Sequence, residues 1–234
     1  MNTSNQKALA DMPMGFMEEL RQQRWDDHRY YHHSRVNQSL HLLSSVCFIA
    51  TYALLLINPS AAALLGWLFA MCSRQIGHFF FEPDSYDSVN HATNAYKEEI
   101  KVGYNLSRKR VLLGIWAISP LILWLNPGVF GLLAPYANGM DYLESLSVIW
   151  LVLGAGAVVF RTIQLCFIRN PQTGLVWALK ILTDPFNDFR QYMKAPLHLM
   201  KGELIDPMSD VRQHRLGDPD EHSDEQSVPV VITS

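Results

Sequence analysis

Five of the nine histidines in this 234-residue chain fall in three short strings. The first is Tyr31-His32-His33-Ser34-Arg35-Val36-Asn37-Gln38-Ser39-Leu40-His41, the second Gln75-Ile76-Gly77-His78-Phe79-Phe80-Phe81-Glu82, and the third is His91 alone. Neutral imidazole is a common ligand for divalent iron, zinc and related ions, so this concentration points to a metal site. On one helix His33, Asn37 and His41 are four residues apart, and each step of four drifts only about 40° round the axis. They form a stripe in which Asn37, between the two histidines, is placed to hydrogen-bond a ring and fix its orientation. His32 lies about 100° off that stripe. His78 and Glu82 repeat the four-residue spacing, which puts an imidazole and a carboxylate on one face, and Gly77 leaves room for a neighbour to approach.

Elements that would bring these strings together are visible in the apolar pattern. Hydrophobic residues make up 49% of the chain and charged residues 18%, and four apolar runs stand out: Leu42–Ile57, Ala61–Phe81, Val111–Leu133 and Leu146–Ile168. A membrane-crossing helix needs about 20 mostly apolar residues. The expected fold is therefore all-α, a polytopic membrane protein with about four transmembrane helices plus interfacial helices. The first two runs form a hairpin whose open end carries both histidine strings, so His33 and His41 can meet His78 and Glu82. These four are the expected metal ligands and catalytic residues, with His91 in reserve. Ionisable groups in membrane segments cost several kcal/mol and tend to be functional. Histidines plus one carboxylate, with open positions, is the donor set of non-haem Fe(II) oxygenases.

The remaining composition narrows the class. A net charge of −3 gives no support to nucleic-acid binding. Cys47, Cys72 and Cys166 lie in apolar runs without paired spacing and read as buried thiols. Met1 to Leu20 lacks the apolar core of a cleavable signal. Arg21, Arg24, Arg29 and Arg35 precede the first run, Lys97 to Arg110 carries five basic residues between the second and third, and Arg169 to Lys201 follows the fourth; the two other turns carry none. By the positive-inside rule both termini and all five histidines face the cytoplasm of an integral membrane protein, in a bacterial inner membrane or the endoplasmic reticulum. Three segments result: 1–35, an interfacial helix; 36–200, the transmembrane domain with the metal site; and 201–234, an acidic, Pro- and Ser-containing tail read as disordered. The stretch Thr183–Met200 is amphipathic and suited to lie on a membrane.

At Tyr31-His32-His33, Asn37 and His41, followed by Gln75, Gly77-His78 and Glu82, the chain resembles the membrane Fe(II)-dependent 2-hydroxy-fatty-acid dioxygenases of phytosphingosine breakdown. The resemblance covers roughly residues 30–83. It implies an α-oxidation step: Fe(II) as cofactor, O2 as co-substrate, a 2-hydroxy fatty acid from the membrane as substrate, and a product one carbon shorter. It also implies that His32, Asn37 and Gln75 support the ligands from around the site. Two alternatives stand beside it. One is another metal-dependent lipid enzyme, a hydroxylase, desaturase or hydrolase; the other is a non-catalytic membrane protein with structural histidines. The topology is open to direct test: cysteine reporters placed near Asn138 and near Lys101 should label from opposite sides of the membrane, and labelling of both from one side overturns it.

Overall fold

The computed structural model describes residues 14–82 and 85–209; the chain before Met14, the Pro83-Asp84 pair and the acidic segment after Ser209 lie outside the described residues. The fold is all-helical. In chain order the helices are α1 (Phe16–Tyr31), α2 (Arg35–Leu55), α3 (Pro59–Leu64), a wider π turn (Leu65–Met71), α4 (Cys72–Phe80), α5 (Asn94–Ile100), α6 (Leu106–Leu125), a 3-10 turn (Val129–Gly131), α7 (Gly139–Ile168), α8 (Pro171–Tyr192) and α9 (Ala195–Met200). Most begin on a side chain that accepts a backbone N–H. Ser34 opens α2, Asn58 α3, Thr93 α5, Asn105 α6, Asn138 α7 and Asn170 α8, and Pro59 and Pro171 occupy first-turn positions where no N–H is needed.

Helix α2 packs against α8 on one side and against the π turn and α4 on the other, while α8 also contacts α1 and α7. The α2–α4 hairpin expected from the sequence is thus present. It is the π turn that re-registers its second arm, and such turns recur at functional sites. Close contact at the hairpin's open end depends on Gly77. A Cβ there would fall 2.2 Å from Asn37 Oδ1 and 3.5 Å from the His41 ring. At the closed end the cluster is aromatic: Trp67 stacks on Trp116 at 5.4 Å, and its indole N–H donates to the Trp150 carbonyl at 2.8 Å. Pro120 removes one N–H from α6, and the Ser119 hydroxyl donates instead to the Trp116 carbonyl at 2.7 Å. Trp150 Nε1 then donates to Ser119 at 3.0 Å.

Two helices, Arg35–Leu55 and Gly139–Ile168, are long and apolar enough to cross a membrane, with mean hydropathy 1.4 and 2.0. The other two apolar runs are divided. The second is split by the π turn, and the third ends as helix at Leu125, ahead of Asn126-Pro127, instead of continuing to Leu133. Only 17% of the most apolar stretch of α7 is buried, and Val152, Val159, Phe160, Ile163 and Phe167 all lie bare. A core helix of a water-soluble protein would be mostly covered. Gly77→Ala is expected to force α2 and α4 apart and to lower stability by about 1–3 kcal/mol, as overpacking does; thermal unfolding of the detergent-solubilised protein measures it.

Candidate metal centre

His32, His41 and His78 come together. One nitrogen from each lies within 4.8 Å of the others. The ring centroids are separated by 4.2 Å (His32–His41), 4.9 Å (His41–His78) and 5.6 Å (His32–His78). Three elements supply them. His32 caps the C-terminus of α1, where the backbone leaves the helix (φ −118°, ψ 41°). His41 projects from the second turn of α2, and His78 from α4 opposite. His41 is 0% exposed and His32 2%.

Each ring is held from behind through Nδ1. His32 Nδ1 donates to the Asp27 carbonyl at 2.7 Å, His41 Nδ1 to Asp188 Oδ2 at 3.3 Å, and His78 Nδ1 to Glu82 Oε2 at 2.6 Å. A carbonyl or a carboxylate can only accept, so these contacts place the hydrogen on Nδ1 and leave Nε2 as a lone pair in each neutral ring. His32 Nε2 and His41 Nε2 then face each other at 3.1 Å with no hydrogen between them. Two lone pairs at that distance repel; a cation between them removes the conflict. Two nitrogens bound tetrahedrally to one metal at about 2.0–2.1 Å would stand about 3.3 Å apart, close to the observed spacing. A carboxylate or carbonyl behind each imidazole is also the arrangement that fixes ligating histidines in metal sites. The donor set fits a divalent metal that accepts three imidazoles and keeps open positions.

Electrostatics favour the neutral ligand form at the edge of the site. Burial, and next the neighbouring His41 ring, hold His32 well below the ordinary imidazole value. A buried ion network backs the centre: Arg74 reaches Asp188 at 3.1 Å and Asp184 at 3.8 Å, and Lys180 bridges Asp184 at 2.7 Å to Asp27. Burial opposes the charge on Lys180, but Asp184 and Asp27 outweigh it and raise its pKa above the usual lysine value. A cavity of about 10 Å³, room for roughly one water, is lined by His32, Asp27, Lys180, Asp188 and Tyr192. Tyr192 walls the site, its ring 5.4 Å from that of His32 and its hydroxyl 3.3 Å from His28 Nδ1.

On the opposite flank Glu82 Oε1 pairs with Lys101 at 3.0 Å. Lys109 lies in the first turn of α6. Burial, then the repulsion of Lys101, bring it down to about 7 despite the nearby Glu82.

The other sequence-predicted residues sit as follows. Glu82 is beside the site, engaged with His78 and Lys101. His33 is turned out of the three-histidine group: its Nε2 contacts the Arg29 carbonyl at 2.6 Å and Asp87 Oδ2 at 3.3 Å. Burial opposes protonation of His33, yet the Asp87 and Arg29 contacts raise it above the ordinary value; burial likewise works against Asp87, which His33 and Asn90 bring to about 2. His91 is exposed, with a left-handed φ of 49°. Asn37 donates to the Tyr31 carbonyl at 2.9 Å and so pins the α1–α2 corner instead of a ring. The Gln75 amide N–H reaches Met71 Sδ at 3.2 Å. Three contributors have no signal in the two motif strings: Asp27, Asp188 and Tyr192. Asp188 follows Asp184 at helical spacing on the amphipathic face of α8, which is the one trace it leaves in the sequence.

No family model matches the chain, and neither a curated protein nor a solved structure matches it.

Alanine at His32, His41 or His78 is expected to abolish retention of a divalent ion, measured by elemental analysis of the folded, detergent-purified protein, while His33→Ala and His91→Ala retain it. Asp188→Asn should weaken retention about 10–100-fold, as loss of a ring-orienting partner does. Since protonation competes with metal and the His32 value is depressed, retention should persist below the ordinary imidazole pKa of about 6.5 and fail only in more acid solution.

Proposed function

We propose that this chain is a metal-dependent membrane lipid oxygenase that holds Fe(II) at His32, His41 and His78 and shortens a 2-hydroxy fatty acid by one carbon. The observation that carries the reading is the meeting of three imidazoles at one buried point, each fixed from behind by an acceptor, beside helices apolar enough to cross a bilayer. The motif strings that resemble the 2-hydroxy-fatty-acid dioxygenases contain all three histidines. In this reading the chain crosses the membrane four times with both termini cytoplasmic, the two divided runs serving as the other crossings. The basic residues concentrated between the second and third runs support that orientation, and the bare apolar surface of α7 supports contact with lipid.

The balanced reaction is RCH(OH)COOH + O2 → RCOOH + CO2 + H2O. The bond between carbinol and carboxyl carbons breaks, the carbinol carbon is oxidised to the new carboxyl, and O2 is reduced. When bound, iron supplies Lewis acidity and the one-electron chemistry that lets O2 react. The protein's own residues do the rest. Asp27, Asp188 and Glu82 hold the rings in the ligating tautomer. Lys109, with no carboxylate at ion-pair distance among the described residues, would become a counter-charge for the acid's carboxylate by taking up a proton as the anion binds. Tyr192 and the packed helices limit the room for water.

Anaerobic reconstitution with Fe(II), followed by O2 and a long-chain 2-hydroxy fatty acid, should yield the acid one carbon shorter by mass spectrometry. Iron-loaded protein that turns over no acyl lipid moves the reading to a non-catalytic membrane protein. A hydrolytic reading is favoured by one feature, the absence of a carboxylate among the three converging groups, since three histidines is also a donor set of catalytic zinc. Zinc-loaded protein that cleaves an acyl ester, with the iron form inert toward O2, selects it.

A further inference from the structure

The segment after α9 returns to the site. Residues 204–208 run antiparallel to the corner between α1 and α2, with an isolated β-bridge between Ser34 and Ile205. Arg35 N–H donates to the Leu204 carbonyl at 2.9 Å, and Asp206 N–H to the His33 carbonyl at 2.8 Å. Met208, 0% exposed, anchors the far end, and its N–H donates to Asp206 Oδ1 at 3.1 Å.

The strap meets the metal centre through one side chain. Gln38 is 1% exposed and its amide nitrogen has two hydrogens. It donates to the His32 carbonyl at 2.8 Å and to Asp206 Oδ2 at 2.7 Å. Its oxygen accepts from Arg35 Nη1 at 2.9 Å, and Arg35 also pairs with Asp206 at 2.8 Å. The carboxylate therefore fixes where the Gln38 amide sits, and the amide fixes the His32 peptide. That peptide needs an anchor. His32 closes α1, its N–H donating to the His28 carbonyl at 3.2 Å, while its own carbonyl lies past the helix and ahead of the Ser34 cap of α2. Its ring must nonetheless present Nε2 to two other rings.

We infer that Asp206 is a positioning residue for the His32 ligand, acting through Gln38, so that the strap after α9 is part of the metal centre. The inference rests on the three-histidine reading. It adds that the centre is incomplete without the segment that follows α9.

The test uses Co(II), whose visible spectrum reports ligand geometry, bound to the full-length detergent-solubilised protein. Asp206→Ala is expected to weaken Co(II) binding about tenfold and to change the visible bands. Asp206→Asn keeps an acceptor for Gln38 and loses the charge facing Arg35, so it should restore both readouts even where the melting temperature stays lowered. Gln38→Met, which keeps the volume and cuts the link from either side, should reproduce the Asp206→Ala spectrum, and it decides the matter should Asp206→Ala not fold. A merely structural strap gives another pattern: Asp206→Ala and Gln38→Met melt earlier but bind Co(II) with wild-type affinity and spectrum. That result overturns the inference and leaves the three-histidine centre standing. Failure of the wild-type protein to bind Co(II) overturns the centre itself, and the inference with it.

Discussion

A chain of alternating charges, buried at Lys180, Asp184 and Asp188 and partly open at Asp27, Arg24 and Arg74, holds this fold and its centre together. Asp27 of α1, Lys180 and Asp184 of α8, Arg74 of α4 and Asp188 of α8 form consecutive ion pairs, with Arg24 joining at Asp184, and the chain ends on His41 of α2. Three cations face three carboxylates, so the network is neutral when the histidine is neutral. Desolvating such groups is costly, and replacing them by apolar side chains is often harmless; removing a single partner costs about 3–5 kcal/mol because a charge is left stranded. Its value here is geometric. It ties together the four helices that carry or support the three histidines.

This explains why part of the site was legible in sequence and part was not. The His78–Glu82 pair lies within one helix and its immediate end; four-residue spacing placed both on one face, and there the structure has them in contact at 2.6 Å. His41 lies within a long helix, and the hairpin brings it to His78. His33 and His32 show where periodicity stops. The stripe from His33 to His41 assumes one continuous helix, whereas α1 ends at Tyr31 and α2 starts at Arg35. Ser34 is the cap between them, its hydroxyl accepting the Asn37 N–H. Past that break, helical spacing no longer says which of two adjacent histidines points inward. Asp188 is 147 residues from His41, and no local rule connects them.

The apolar pattern was a good guide to helices and a poorer one to their lengths. Hydropathy sums across Asn126-Pro127 and across the π turn, because each is flanked by apolar side chains. Backbone hydrogen bonding does not: proline ends one helix and the wider turn re-registers another. Ser119 illustrates the repair this requires, since its hydroxyl satisfies a carbonyl that Pro120 leaves without a donor and also receives the Trp150 indole. A hydrophobic run states that a segment avoids water; it does not state where the helix within it begins and ends.

The distance along the chain between the parts of the centre has a consequence for biosynthesis. His32, His41 and His78 are all made within the first 78 residues, but the lysine that steadies Asp27 comes 153 residues after it and the carboxylate behind His41 comes 147 residues after that ring. Until α8 has been made, a nascent chain has the three imidazoles without the Asp188 and Lys180 contacts that back them. The set of acceptors behind the three rings is complete only when α8 docks. If the cluster holds a metal as proposed, any available ion can visit those imidazoles before α8 docks, and the docked helix fixes their geometry afterwards.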